Sequence, residues 1–145
     1  TDKKADNELY TYGERLTNPK VCIDGKDCAL GVNPVNEVIK IYREGKFGTN
    51  QAIMEIGMPQ DIIVEDPPCL RLIDTRLIKG KLHFVLYFRS WDLWAGFPSN
   101  LAAIQMLKEY MCQEIGVEDG SITAISNGLH LYEYTFELAL KRLRR

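Results

Sequence analysis

The segment from Cys69 to Ser90 constrains the fold most. It is rich in apolar and aromatic residues, with Lys79-Gly80 at its middle. That pattern predicts a β-hairpin whose second arm alternates Leu82, Phe84, Leu86 and Phe88 on one face. The other face carries His83, Val85, Tyr87 and Arg89. Val85 and Tyr87 are bulky too, so both faces are expected to be covered, one by the core and the other by a helix or a second copy of the chain. A homodimer through a sheet face is one way to meet that demand.

Helical signals flank the hairpin. Asn33 as cap, Pro34 in the first turn, and Val35, Val38, Ile39 and Tyr42 at helical spacing predict a helix that ends by Gly45. A second helix is expected from a cap at Ser99 or Asn100, with Leu101, Ile104, Leu107, Met111 and Ile115 as its apolar stripe and Gly116 as its stop. Short strands are expected at residues 52–56, 62–64 and 121–125, and at 129–132 beyond an Asn127-Gly128 turn. A terminal helix bearing Phe136, Leu140 and Leu143 follows. Residues 1–33 read as loops with a short strand, anchored by Tyr10, Tyr12 and Leu16 and broken at Gly25, Gly31 and Asn33. Mixed hairpins and helices give an α+β class with a largely antiparallel or mixed sheet.

The 145 residues, 46% of them apolar, suffice for one core and argue against disorder. A single domain over 1–145 is expected. With 18 Lys+Arg against 20 Asp+Glu, net charge −2 offers no general attraction to nucleic acid or to an anionic membrane. The run Lys141, Arg142, Arg144, Arg145 reads as a solvated helix end. No apolar stretch is long enough to span a membrane and no signal peptide stands at the N-terminus, so a cytoplasmic location is expected. Cys22, Cys28, Cys69 and Cys112 form neither CxxC pairs nor a dense framework, which favours reduced thiols over zinc or disulfides. No GxGxxG, P-loop or HExxH occurs, and no metal is expected.

Several side chains could carry chemistry. Cys69 follows two prolines at the mouth of a strand, either as a nucleophile or as a buried core thiol. Cys112 on an amphipathic helix, and Cys22 and Cys28 in a polar loop, read as structural. Arg89 ends an apolar strand and needs an anion, either Asp92 or another internal carboxylate, or a ligand phosphate or carboxylate. Trp91, Trp94 and Phe97 could wall a planar ligand, with core packing expected for at least one of them. His130 and Tyr132, two apart on a strand, could present polar tips to one site.

The phrases Glu65-Asp66-Pro67-Pro68-Cys69, Phe88-Arg89-Ser90-Trp91-Asp92, Gly96-Phe97-Pro98-Ser99-Asn100 and Leu129-His130-Leu131-Tyr132 together closely resemble thymidylate synthase. Tyr12-Gly13-Glu14-Arg15 and Asn50-Gln51-Ala52 look most like its archaeal branch. The separations agree with the family order: 20 from Cys69 to Arg89, 11 more to Asn100 and 30 more to His130. The resemblance runs from about Tyr10 to the end of the chain. It implies the family's layered sheet with long packed helices, and reductive methylation of deoxyuridylate (dUMP) to thymidylate (dTMP) by 5,10-methylenetetrahydrofolate in a homodimer.

The resemblance also implies roles. Cys69 would add to C6 of uracil, Arg89 and Ser90 would hold the phosphate, and Asn100 would read the base, favouring uracil over cytosine. His130 and Tyr132 would bind the 3′-hydroxyl, and Asp92 would bond the pterin and a water network. Tyr12 would assist proton removal at C5, and Trp91 and Trp94 would lie against the folate. Asn50 and Gln51 stand where other members place a pair of phosphate-binding arginines from the neighbouring subunit, and Leu70 replaces a histidine. The family's N-terminal segment is expected to have no counterpart before Thr1, and the usual closing tail is also expected to be missing. A pyrimidine-nucleotide hydroxymethylase and a nucleotide-binding fragment without turnover remain the alternatives.

Overall fold

The computed structural model describes residues 10–23 and 26–143. The expected break at Gly25 and the charges at Arg144 and Arg145 lie outside them. The chain opens on helix α1 (Tyr12–Thr17), followed by a hairpin of β1 (Lys20–Ile23) and β2 (Lys26–Ala29). Helix α1 was not expected from composition, yet Thr11 caps it by accepting from the Glu14 N–H at 3.0 Å. Cys28 is an exposed free thiol on β2 rather than in a loop, and Cys22 lies on β1.

Helix α2 (Pro34–Arg43) forms as its pattern requires, with the Asn33 side chain accepting from the Asn36 N–H at 3.0 Å. Strand β3 (Ile53–Glu55) follows, then a 3₁₀ turn over Pro59–Ile63. This turn corrects the strand expected at 62–64. Asp61 folds its carboxylate back onto the Met58 N–H at 2.7 Å, and Ile62 and Ile63 project outward, 90% and 85% exposed.

The hairpin β4 (Leu70–Ile78) and β5 (Lys81–Phe88) turns at Lys79 and Gly80, with φ of 50° and 76°. Two successive left-handed residues suit the twist of a two-residue hairpin turn, and glycine takes the second without steric cost. A short strand β6 (Trp91–Asp92) leads into helix α3 (Gly96–Ile115). After α3 come β7 (Glu118–Ser126), β8 (Leu129–His130) and helix α4 (Glu133–Leu143). Helix α3 begins before Ser99, so neither Ser99 nor Asn100 is its cap. Its end at Gly116, φ 81°, is as expected. Strand β8 stops at His130, leaving Tyr132 just beyond it.

The main sheet has the order β3-β4-β5-β7, antiparallel except for the parallel β5–β7 pair that α3 connects. Leu82, Phe84, Leu86 and Phe88 are fully buried against Val38 and Ile39 of α2 and Ile104 and Met111 of α3. Within this layer the Tyr42 hydroxyl lies 3.0 Å from Thr75 Oγ1, and the Thr75 hydroxyl donates to the Ala52 carbonyl at 2.7 Å. Lys108 enters the same stripe. Its fully buried ammonium is met by the Gly120 carbonyl and by Asp119 at 3.1 Å. The opposite sheet face is partly open, with Tyr87 38% and Ile125 55% exposed.

The α+β architecture with helices layered on one sheet is as expected. Helix α4 also forms where expected, but Phe136, Leu140 and Leu143 remain exposed. Among the described residues, no helix is long and apolar enough to cross a membrane.

Candidate active site

Cys69 sits at the exit of Pro67-Pro68, where β4 begins, and is half-buried. Its carbonyl accepts from the Arg89 N–H at 2.8 Å, so the residue just past β5 is stitched to the Cys69 backbone. The Arg89 side chain turns back toward the same prolines. Nη2 donates to the Pro67 carbonyl at 2.6 Å, and Nε lies 3.3 Å from both proline carbonyls. The guanidinium pairs with Asp66 at 3.5 Å, not with Asp92. That carboxylate is almost fully exposed, and an exposed pair of this length holds weakly.

Tyr12, in the first turn of α1, accepts from the Leu70 N–H at 3.2 Å and so reaches the residue after Cys69. Burial pushes the Tyr12 hydroxyl above its ordinary range, partly offset by that N–H. Burial likewise pushes the Cys69 thiol up; Arg89 opposes the shift and Asp66 adds to it. The thiol is therefore protonated at neutral pH.

A second arm of the site is built by an unusual pairing. Strands β6 and β8 run parallel, with Trp91 opposite Leu129 and Asp92 opposite His130. Trp91 N–H donates to the Gly128 carbonyl at 2.8 Å and Leu93 N–H to the His130 carbonyl at 2.9 Å. This register brings Ser90 Oγ within 2.9 Å of His130 Nδ1. The His130 ring meets Tyr132 edge-on at 5.0 Å, although Tyr132 has left the strand.

Asp92 braces the turn that leads into α3, three residues ahead of the N-cap residue Ala95. Its carboxylate accepts from the N–H groups of Trp94, Ala95 and Gly96 at 2.9–3.0 Å. Desolvation works against its charge, but these donors outweigh it and hold the carboxyl below its usual range. Asp92→Ala should cost about 1–2 kcal/mol in urea denaturation, the scale of stripping a charged acceptor from backbone N–H groups, with Asp92→Asn recovering part of it.

Trp91 is the aromatic that packs in the core. It is 3% exposed, stacked on Phe88 with centroids 3.9 Å apart, and tilted against Phe97 at 4.8 Å. Its indole N–H donates to Asn100 Oδ1 at 3.0 Å, fixing that amide's orientation and leaving the carbonyl a second lone pair. The Asn100 NH₂ makes no hydrogen bond among the described residues. Trp94 is half-buried with the Arg142 guanidinium 5.5 Å from its ring, so it alone of the two tryptophans presents an accessible surface. Asn50 and Gln51 are exposed just before β3. No group of three His, Cys, Asp or Glu among the described residues could hold a metal ion.

One constellation went unread in the sequence. Buried Asp61 receives Arg15 at 2.8 and 3.3 Å and Arg71 at 3.0 Å. Arg15 also donates to the Ile56 carbonyl. The available signal was the Thr11-x-x-Glu14 spacing, which marks a helix start and puts Tyr12 and Arg15 on one short helix.

A family profile described as "Thymidylate synthase" matches residues 9–145. A protein of Methanosarcina barkeri named "Putative thymidylate synthase" is 31% identical over 129 residues, covering 89% of this chain and 55% of that protein. One of the same name from Methanococcoides burtonii is 30% identical over 138 residues, 94% of this chain and 59% of that protein. "Deoxyuridylate hydroxymethyltransferase" of Bacillus phage SP01 is 36% identical over 107 residues, 69% of this chain and 28% of the phage protein. The chain thus spans a little over half the length of the archaeal relatives it matches.

Proposed function

The chain belongs to the thymidylate synthase family, and from that membership we propose that it carries the nucleotide-methylating half-site of a dUMP methyltransferase. One observation carries the reading most: Arg89 is folded onto the two prolines immediately before Cys69, with Tyr12 on the following N–H. This puts a cation, a thiol and a phenol around one strand end.

In the proposed reaction the Cys69 thiolate adds to C6 of uracil, placing a pair of electrons on C5 and O4. Arg89 exchanges Asp66 for the nucleotide phosphate while remaining the cation whose charge favours the Cys69 thiolate. Asn100, oriented by Trp91, accepts from N3–H and donates to O4. Ser90 and His130, already bonded to each other, hold the phosphate and the 3′-hydroxyl, with Tyr132 beside them. The C5 proton leaves to a water ordered by the Tyr12 hydroxyl, which stays a protonated phenol, and passes from there to solvent.

The reduced folate is placed against the acceptor carboxylate ahead of α3. Asp92 is ionised and suits the ring N–H groups of a pterin, and Trp94 gives a planar surface next to it. When bound, methylenetetrahydrofolate supplies both the one-carbon unit and the hydride. Two copies of the chain are proposed to meet through the open sheet face bearing Tyr87 and Ile125. The same thiol addition serves a hydroxymethylase, in which water captures the exocyclic methylene, and the likeness to the phage protein favours keeping that second reading.

Incubation with dUMP and methylenetetrahydrofolate separates the two. Thymidylate with an equal amount of dihydrofolate, followed by absorbance, is expected. A hydroxymethyl product with tetrahydrofolate would establish the second reading, and nucleotide binding with no product would overturn both as activities of this chain.

A further inference from the structure

Arg71 is one position past Leu70 on β4 and is 25% exposed, and its guanidinium lines a cleft of about 640 Å³ together with Arg89. Three features show that the guanidinium is seated there. Nη1 donates to Asp61 at 3.0 Å, while the remaining contacts, to the carbonyls of Pro68 and Met58, are long at 3.4 Å. Asp61 is already engaged by two bonds from Arg15, so one carboxylate faces two guanidinium groups and cannot neutralise both. Gly57 packs directly beneath: a Cβ there would overlap the Arg71 guanidinium, so the absence of a side chain makes room for the arginine.

In the same cleft, Arg89 is paired, among the described residues, only with exposed Asp66 and with the proline carbonyls. Two guanidinium groups with donors to spare thus line one opening, which suits an anion that can accept from both. Glu55 also lines the cleft, but it is exposed at the rim, where water and salt screen it.

We propose that Arg71 is a second phosphate-binding residue, acting with Arg89 on one anion and supplying charge that Asn50 and Gln51 do not. That the anion is a nucleotide's phosphate rests on the proposed function. The pairing of the two arginines does not.

Inorganic phosphate is the first probe, titrated into the whole protein and followed by ³¹P linewidth, with dUMP and deoxyuridine compared afterwards. Arg71→Gln is expected to weaken phosphate about tenfold or more, as Arg89→Gln does, the loss expected for a charge-assisted bond. Gly57→Ala keeps every charge but pushes the guanidinium aside, so it should weaken phosphate too and guards against a fold defect in Arg71→Gln. Arg71→Lys should fall between, because a point charge replaces a fork. Phosphate affinity unchanged in both Arg71→Gln and Gly57→Ala, or no phosphate binding by the parent chain, overturns the proposal. Arg71-dependent phosphate binding with dUMP no tighter than phosphate would sustain this inference while defeating the nucleotide reading.

Discussion

Cys69→Ser abolishes the covalent adduct that the parent chain is expected to form with 5-fluoro-deoxyuridylate and methylenetetrahydrofolate. The expected drop in adduct formation is on the order of 10⁴-fold or more, below detection on a denaturing gel or by mass spectrometry. A serine hydroxyl in the same place has no base arranged to ionise it, whereas the thiol needs only a modest change in its surroundings. Those surroundings give the reaction a pH signature. Burial and Asp66 hold the free thiol above its usual range, so alkylation of the ligand-free protein should climb through the alkaline region rather than plateau near neutrality. Arg89→Gln removes the cation that opposes this shift and should move the climb to still higher pH. An adduct that survives Cys69→Ser would assign the nucleophile elsewhere. Cys112 is a poor substitute, since it is 5% exposed and points at the Glu118 carbonyl.

The parts of this fold that were legible in the sequence are those where periodicity runs long. The Leu82–Phe88 alternation, the α2 stripe and the end of α3 each repeat one signal over several turns or strand pairs. Where a single side chain decides the local structure, the pattern misled. Ile62 and Ile63 are β-branched and look like strand, but the Asp61 carboxylate on the Met58 N–H closes a 3₁₀ turn instead. The cap was expected only at Ser99 or Asn100, yet the Asp92 carboxylate accepts from the Gly96 N–H at the first helical position, and proline is tolerated in a first turn. Lys108 is spaced as a core residue, and only the tertiary contact with Gly120 and Asp119 explains why its charge can be buried.

The candidate site was legible as a set of residue types and illegible as an arrangement. Cys69, Arg89, Asn100 and His130 stand out by kind and by motif. Their geometry depends on the β6–β8 pair, two residues long on each strand and too short to leave a periodic trace. That pair decides that Ser90 bonds His130, and it leaves Arg89 to the prolines and Asp66 instead of Asp92. Asp61 and Arg71 carry no local signal at all, because the contact that gives them meaning closes between α1, the 3₁₀ turn and β4.

Asp61→Ala is expected to be the most destabilising single substitution around the site, at about 3–5 kcal/mol in urea denaturation, the usual cost of stripping the partner from a buried charge. Asp61 is 1% exposed and Arg15 9%, so solvent cannot take the carboxylate's place on that guanidinium. The Met58 N–H loses its acceptor in the same step. Asp61→Asn keeps the shape and one acceptor, and should lose less. The pH dependence has a definite sign. Desolvation opposes ionisation of Asp61, but Arg15, the Met58 N–H and Arg71 together hold its carboxyl below the ordinary aspartate range. A folded value below the unfolded one means that the stabilisation is complete above about pH 4 and is lost as pH falls through the folded value. The gap between parent and Asp61→Ala should therefore narrow on acidification below about pH 4, because the parent then loses the same charge. A gap that stays constant across that range would mean the carboxylate's charge contributes nothing, and that packing alone holds α1 against β4.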